Sequence, residues 1–442
     1  MAKKKQTIYS KDWASLHPYQ GSARTDFYYT TIANKIYTVL DNLLENEISD
    51  ENLFYLKEEE KKQLACTLTS YFEDIISETG IFRAFTKEHY RKYNSPLPFF
   101  PCNDYANEEI NTEDIQFLTW HYFMQLNRGE IPYSPETPLF SRIAEKVMEI
   151  LDEEYESAPA NEKLKGFFDL SPKECTNLYS LQARFASESY LFQFNGRQMQ
   201  EEIDDMVTTA KEDGTEEYLP DMVNVLCNDF AYNLITEFMQ HSPAQWLAIL
   251  LGEEHPAHEA LKNLSRKYSG YFDFVDEDKY NARFRHIITG EIIEVTQKSL
   301  KGFPEDMKSD KTSLYAGFVH WQNEWWIMGL VNTYPKSEDL TEEIDKRAEE
   351  ESHIFEEKTD LPENEQEIIL KDILEDTDLG EGEMPLTPEE TAWIAVLSDE
   401  LGVSFMENAV QKGKVPELRF NGEKGYELLH DNLDFILRYI KR

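Results

Sequence analysis

The stretch LYAGFVHWQNEWWIMGLVNT, residues 314–333, decides the fold. Aromatic and β-branched residues fill both halves of it, and Gln322-Asn323-Glu324 sits between them as a short turn. Upstream, the same composition predicts strands at 271–275, 280–288 and 291–297, followed by 314–321 and 325–333. Asp276-Glu277-Asp278-Lys279 makes the first turn, and Thr289-Gly290 a tight hairpin in which glycine supplies the positive φ. Five short antiparallel strands in about 65 residues point to a small SH3-like β-barrel over 269–335. A flat sheet packed on a helical domain is the alternative.

N-terminal to that region the period is helical, and the expected class is α+β, mainly α. Ser171-Pro172, Ser242-Pro243 and Thr387-Pro388 each place a capping residue before a proline, with Glu174, Gln245 and Glu390 positioned to complete a capping box. Ser134-Pro135 lacks that acceptor but precedes Leu139, Ile143, Val147, Ile150 and Leu151, a one-sided apolar stripe running to about Glu156. Met222, Val223, Leu226, Phe230, Leu234 and Phe238 make another. Further helices are expected near 25–46, 58–78, 83–93, 112–127, 172–190, 198–212 and 256–267. The resulting division is a helical domain with an aromatic N-terminal arm over 1–268, the barrel over 269–335, a partly disordered acidic linker over 336–386, and a C-terminal helical module over 387–442.

Charge narrows the partners. Lys+Arg 44 against Asp+Glu 85 leaves −41. Residues 101–250 hold 28 acidic and 9 basic side chains (−19), and residues 341–390 hold 20 and 4 (−16). Such a surface repels phosphate backbones and anionic membranes, and favours a protein partner with a basic surface. No apolar run approaches the roughly 18–20 residues that cross a bilayer, and Lys3-Lys4-Lys5 is not followed by an apolar signal segment, so a cytoplasmic protein is expected. Cys66, Cys102, Cys175 and Cys227 are too far apart for a metal or redox pair.

No phosphate-binding glycine loop, nucleophile elbow or zinc-protease motif is present. His255 and His258 could share a helical turn as metal ligands, but His255 precedes Pro256 and reads as a cap. The acidic run at Glu201, Glu202, Asp204 and Asp205 reads as solvated helix surface. No catalytic residue, metal ligand or cofactor is assigned. Trp321, Trp325, Trp326 and Tyr315 form an aromatic cluster, and because strand neighbours point to opposite faces, Trp325 and Trp326 cannot both be interior. One of them packs on the helical domain or lines a groove for a partner. Trp13 and Tyr19, in the arm Ile8-Tyr9-Ser10-Lys11-Asp12-Trp13 and Leu16-His17-Pro18-Tyr19, either anchor the arm or form a second partner site.

That arm, together with Glu113-Asp114-Ile115-Gln116-Phe117-Leu118-Thr119-Trp120-His121-Tyr122 and the proline-rich loop before it, resembles an uncharacterised family of Bacteroides-type bacteria, a domain of unknown function. The resemblance covers the helical region and the barrel. It implies a bacterial, cytoplasmic origin and supplies no activity or functional residue. The expected function is a non-catalytic binding or adaptor protein. The alternatives are an acidic nucleic-acid mimic that blocks a basic groove, and an enzyme whose site would be sought first at His17, His121 and His241.

Overall fold

The computed structural model describes residues 7–355 except 20, 47–53, 94, 99–101, 103–104, 127–136, 170–174, 237, 240, 303–304 and 352–354, together with 383–384 and 418–419. The first helices are α1 (Ser10–Ala14), α2 (Asp26–Asn46), α3 (Glu58–Ser77), α4 (Ile81–Tyr93) and α5 (Thr112–Leu126). They are followed by α6 (Pro138–Glu154), α7 (Glu162–Phe168), α8 (Cys175–Glu188) and α9 (Gln193–Asp213). Then come α10 (Leu219–Asn233), α11 (Pro243–Leu251), α12 (His258–Lys262) and, beyond the sheet, α13 (Glu338–Glu351).

The helical domain is organised around α3. Every residue from Leu64 to Asp74 is buried, so this helix is enclosed on all sides. Its small Ala65, Cys66, Thr67, Thr69 and Ser70 let neighbours approach closely, and α1, α2, α4, α5 and α7 pack around it. The turn into α4 needs left-handed backbone at Glu78 (φ 52°) and Gly80 (φ 82°). Asp74 fixes it. One carboxylate oxygen accepts the Gly80 and Ile81 amides at 2.8 and 3.1 Å and the Thr79 hydroxyl; the other accepts the Phe82 amide and the Tyr190 hydroxyl, both at 2.8 Å. A carboxylate at the start of α4 also faces the positive end of its dipole.

Several boundaries differ from the sequence reading. The helix expected from Ser134 begins at Pro138, and its stripe of Leu139, Ile143, Val147 and Leu151 is buried. The helix expected over 256–267 stops at Lys262. The backbone beyond it is used in other bonds: Ser265 donates to the His320 carbonyl and Lys267 to Asn233 Oδ1. α10 ends at Asn233, and Phe238 lies in the following loop with its ring 4.8 Å from Phe85 and 4.7 Å from His121. The Ser242 capping box forms as expected, with reciprocal bonds to Gln245.

The five strands are β1 (Tyr268–Glu277), β2 (Asn281–His286), β3 (Ile292–Thr296), β4 (Thr312–Trp321) and β5 (Glu324–Pro335). Gly290 takes φ 74° in the β2–β3 turn, and Gln322 and Asn323 both take positive φ in the β4–β5 turn. The order is β1-β2-β3-β5-β4, with β4 returning to β1 to close the ring. The sheet is mixed, which corrects the expectation of a wholly antiparallel, SH3-like arrangement: β3 and β5 run parallel where Val295 meets Trp325. The cause is the long β3–β4 connection, which carries the chain across so that β4 pairs with β1 and β5 returns beside β3. Phe272, Phe284, Ile293, Val295, Leu314 and Phe318 fill the interior.

The segment expected to be a linker from residue 336 contains α13, so its first part is an ordered helix. The strand pieces Glu383–Met384 and Leu418–Arg419 pair with each other. The rest of the expected linker and the expected C-terminal helices lie outside the described residues. Among the described residues no helix is long and apolar enough to cross a membrane.

Candidate functional site

Alternation along β5 sorts the tryptophans. Trp325 and Ile327 turn toward the sheet interior; Trp326 and Met328 turn outward. The outward pair joins Val319 and Trp321 of β4 in the core of the helical domain, and Trp321 and Trp326 meet edge to face at 5.9 Å. Polar contacts reinforce the junction. Lys267 Nζ lies 2.9 Å from Asp229, and the His320 amide donates to Ser265 Oγ at 2.7 Å. Gly329, at φ 78°, passes so close to α10 that a Cβ there would lie 3.1 Å from the Asn228 side chain. Trp321 and Trp326 therefore hold the sheet on the helices and are closed to a partner.

Trp325 and Tyr315 lie elsewhere, in two neighbouring aromatic sites. At one end of the sheet interior, Trp325 stands 5.5 Å from Tyr268 and 5.2 Å from His320. The Phe355 ring enters this group, 5.3 Å from Tyr268 and nearly parallel to it, 5.4 Å from His286, 6.3 Å from Phe272 and 6.4 Å from Trp325. On the outer face, Tyr271 sits between Tyr315 at 5.1 Å and Tyr334 at 5.9 Å. Arg347 of α13 lies over this face, its guanidinium carbon 5.3 Å from the Tyr315 ring centre and 5.8 Å from that of Tyr271. It also donates to the Tyr315 hydroxyl at 3.4 Å and pairs with Glu343 at 3.4 Å. Burial and the neighbouring Tyr334 raise the Tyr271 pKa, while Arg347 opposes the shift, so Tyr271 stays neutral. One site takes a cation over tyrosine faces, the other an aromatic ring. The adjacent β1 residues Tyr271 and Phe272, pointing to opposite faces, give one wall to each.

The family described as "Protein of unknown function (DUF3843)" matches residues 7–286. The chain belongs to that family. No curated protein and no solved structure matches it. The DUF3843 match takes in the helical domain, β1 and β2, and thus Tyr268, Tyr271, Phe272 and His286. Tyr315, Trp325, Arg347 and Phe355 lie C-terminal to it.

Trp13 and Tyr19 are buried within the DUF3843 helical domain, on the arm side of α3. Trp13 stacks on Tyr29 with rings 5.9 Å apart. His17 bonds through Nδ1 to the Trp13 carbonyl at 2.8 Å and through Nε2 to Glu73 at 2.6 Å. Asn161 donates to both the Tyr19 hydroxyl and Glu73, at 2.9 and 3.0 Å. These bonds clasp the arm onto α3 and leave neither aromatic side chain open.

The other histidines take local roles. His121 is enclosed by Phe117, Phe194 and Phe238, and burial pushes its pKa down to about 3, which keeps it neutral. His241 pairs with Glu88 at 2.9 Å. Burial alone would raise the Glu88 pKa, but its bonds from Arg91 and His241 outweigh that and bring it down to about 2. His255 Nδ1 accepts the Ala257 amide at 3.1 Å, the capping role, and His258 Nδ1 lies 2.9 Å from the Ala248 carbonyl. Among the described residues no group of three His, Cys, Asp or Glu side chains is placed to hold a metal ion.

Of the residues in these two aromatic groups, sequence reasoning singled out Trp325 and Tyr315 as candidates and did not single out Tyr268, Tyr271, Phe272, His286, Arg347 and Phe355. The available signal was compositional: Ile344, Arg347 and Phe355 interrupt a run dominated by acids.

Proposed function

We propose that the chain is a non-catalytic binding protein that engages a protein partner through basic and aromatic side chains. The observation that carries this reading is the pair of aromatic sites on β1, β4 and β5, one over the Tyr271 and Tyr315 rings and one among Tyr268, Phe272, His286 and Trp325. Arg347 and Phe355 of this chain occupy these sites, and their chemistry supports a partner with a cation and an aromatic ring. The helical domain serves as a rigid base, since Trp321 and Trp326 are sunk into it. Its acidic surface raises the encounter rate with a basic partner.

The strand order, with β3 parallel to β5, is the connectivity of OB-type barrels, many of which take oligonucleotides on the β2–β3 face. The side chains there argue against that use. Arg283, at the centre of the face, is already bridged to Asp276, to Asp278 at 3.5 Å and to Glu294 at 3.8 Å. A phosphate backbone would meet three carboxylates around the neutralised Arg283, with Arg285 as a further cation on the same strand face. Fold and function separate at the site.

The test is co-purification from native lysate at low and at high salt, using the wild-type chain and the Tyr315→Ala/Trp325→Ala double variant. The expected result is a reproducible protein partner at low salt that is released by high salt and depleted with the variant. Recovery of nucleic acid, or of no reproducible partner, would overturn the reading.

A further inference from the structure

We infer that α13 and Phe355 are a built-in competitor, occupying in cis the two aromatic sites that a partner segment carrying an arginine and an aromatic residue takes in trans. The inference rests on the binding role proposed above and adds its regulation and the partner's chemistry.

Within α13, Ile344 is the one buried residue among those whose side chains are described; the others are exposed or half-buried. A 14-residue helix is marginal in isolation, and among the described side chains Ile344 is buried while Arg347 and Phe355 lie against the aromatic rings of the sheet. Arg347 and Phe355 lie eight positions apart in the sequence.

Its charge works against it. Of the 14 residues of α13, eight are acidic and two basic, so a helix of net charge −6 lies on a chain that is itself strongly acidic. On β1, Asp273 is paired with Lys336, Asp276 with Arg283 and Glu277 with Lys308, so the repulsion comes from the net charge of the chain and not from these carboxylates. The cis segment therefore has anchors that fit on a backbone of the repelled sign. A basic segment with the same two anchors gains attraction where α13 suffers repulsion, and that difference is what allows displacement. The apparent affinity of the incoming segment is its intrinsic affinity reduced by the fraction of molecules in which the sites are open.

The experiment uses the full chain and, as probe, a fluorescein-labelled synthetic peptide copying residues 338–355 with its acidic residues changed to glutamine. Anisotropy titrations compare the wild type with the Arg347→Ala/Phe355→Ala variant, in which the internal anchors are gone. Both substitutions fall on side chains that are not fully buried, and circular dichroism with thermal melting checks that the fold is retained. The variant should bind the peptide at least about 10-fold more tightly than the wild type. Saturating peptide should also speed amide hydrogen exchange along α13 in the wild type. Equal affinity of the two proteins, with α13 exchange unchanged, would overturn the competitor role while leaving the binding site in place. Binding to neither would overturn both.

Discussion

Replacing Asp74 by asparagine tests the local logic of the helical domain with almost no change in shape. The Asp74 carboxylate is 1% exposed and accepts five hydrogen bonds: from the Gly80, Ile81 and Phe82 amides and from the Thr79 and Tyr190 hydroxyls. Asparagine keeps one acceptor oxygen. Three donors converge on Oδ1 and two on Oδ2, so whichever position becomes NH2, at least two buried donors lose their acceptor. Each such loss costs about 1–3 kcal/mol, which gives a destabilisation on the order of 2–6 kcal/mol. The lower end applies if the Tyr190 hydroxyl turns to accept from the new amide. Side-chain volume is conserved, so no cavity contributes. Urea unfolding followed by tryptophan fluorescence measures the loss, and amide chemical shifts of Gly80, Ile81 and Phe82 locate it. A change below about 1 kcal/mol, with those three amides unmoved, would refute the claim that Asp74 pins the α3–α4 turn.

Other outcomes follow from the same structure. Trp326→Ala removes a ring buried between sheet and helices and should cost about 3–5 kcal/mol in urea, whereas the half-buried Trp325 should cost less when truncated; equal losses would contradict the assignment of the two faces. Burial pushes the Asp114 pKa up to about 7, against the bonds it accepts from Tyr105, Tyr71 and Asn111. The folded state thus holds a proton that the unfolded chain releases near pH 4, so this group's contribution to stability falls as pH rises from about 4 to 7. Asp114→Asn should flatten the stability profile in that window relative to wild type, and parallel profiles from urea titrations would rule this out.

How much of this was legible beforehand follows from the range of each interaction. The Ser242-Pro243 start was readable because a capping box is completed within four residues. Alternation at Trp325-Trp326 correctly placed one ring outside the sheet, because strand geometry alone fixes it. The parallel β3–β5 contact was not readable: it depends on where the connection after Thr296 delivers β4, which no local pattern encodes. The same holds for the arm. Its aromatic density was plain, but Trp13, His17 and Tyr19 are placed by Glu73 and Asn161, up to 142 positions away in sequence. α13 was not singled out as a helix within the partly disordered linker, because its composition is that of a solvated segment. Its order comes from side chains of the sheet, where Arg347 and Phe355 meet Tyr271, Tyr315 and Tyr268.

The binding role is tested most directly by photo-crosslinking from the sheet itself. A benzoylphenylalanine placed at position 334, beside Tyr271, in the full-length Arg347→Ala/Phe355→Ala chain would be irradiated in native lysate and the attached peptides sequenced. The account predicts one protein partner, joined through a segment that carries an arginine and an aromatic residue. Crosslinks confined to this chain, or to nucleic acid, would contradict it.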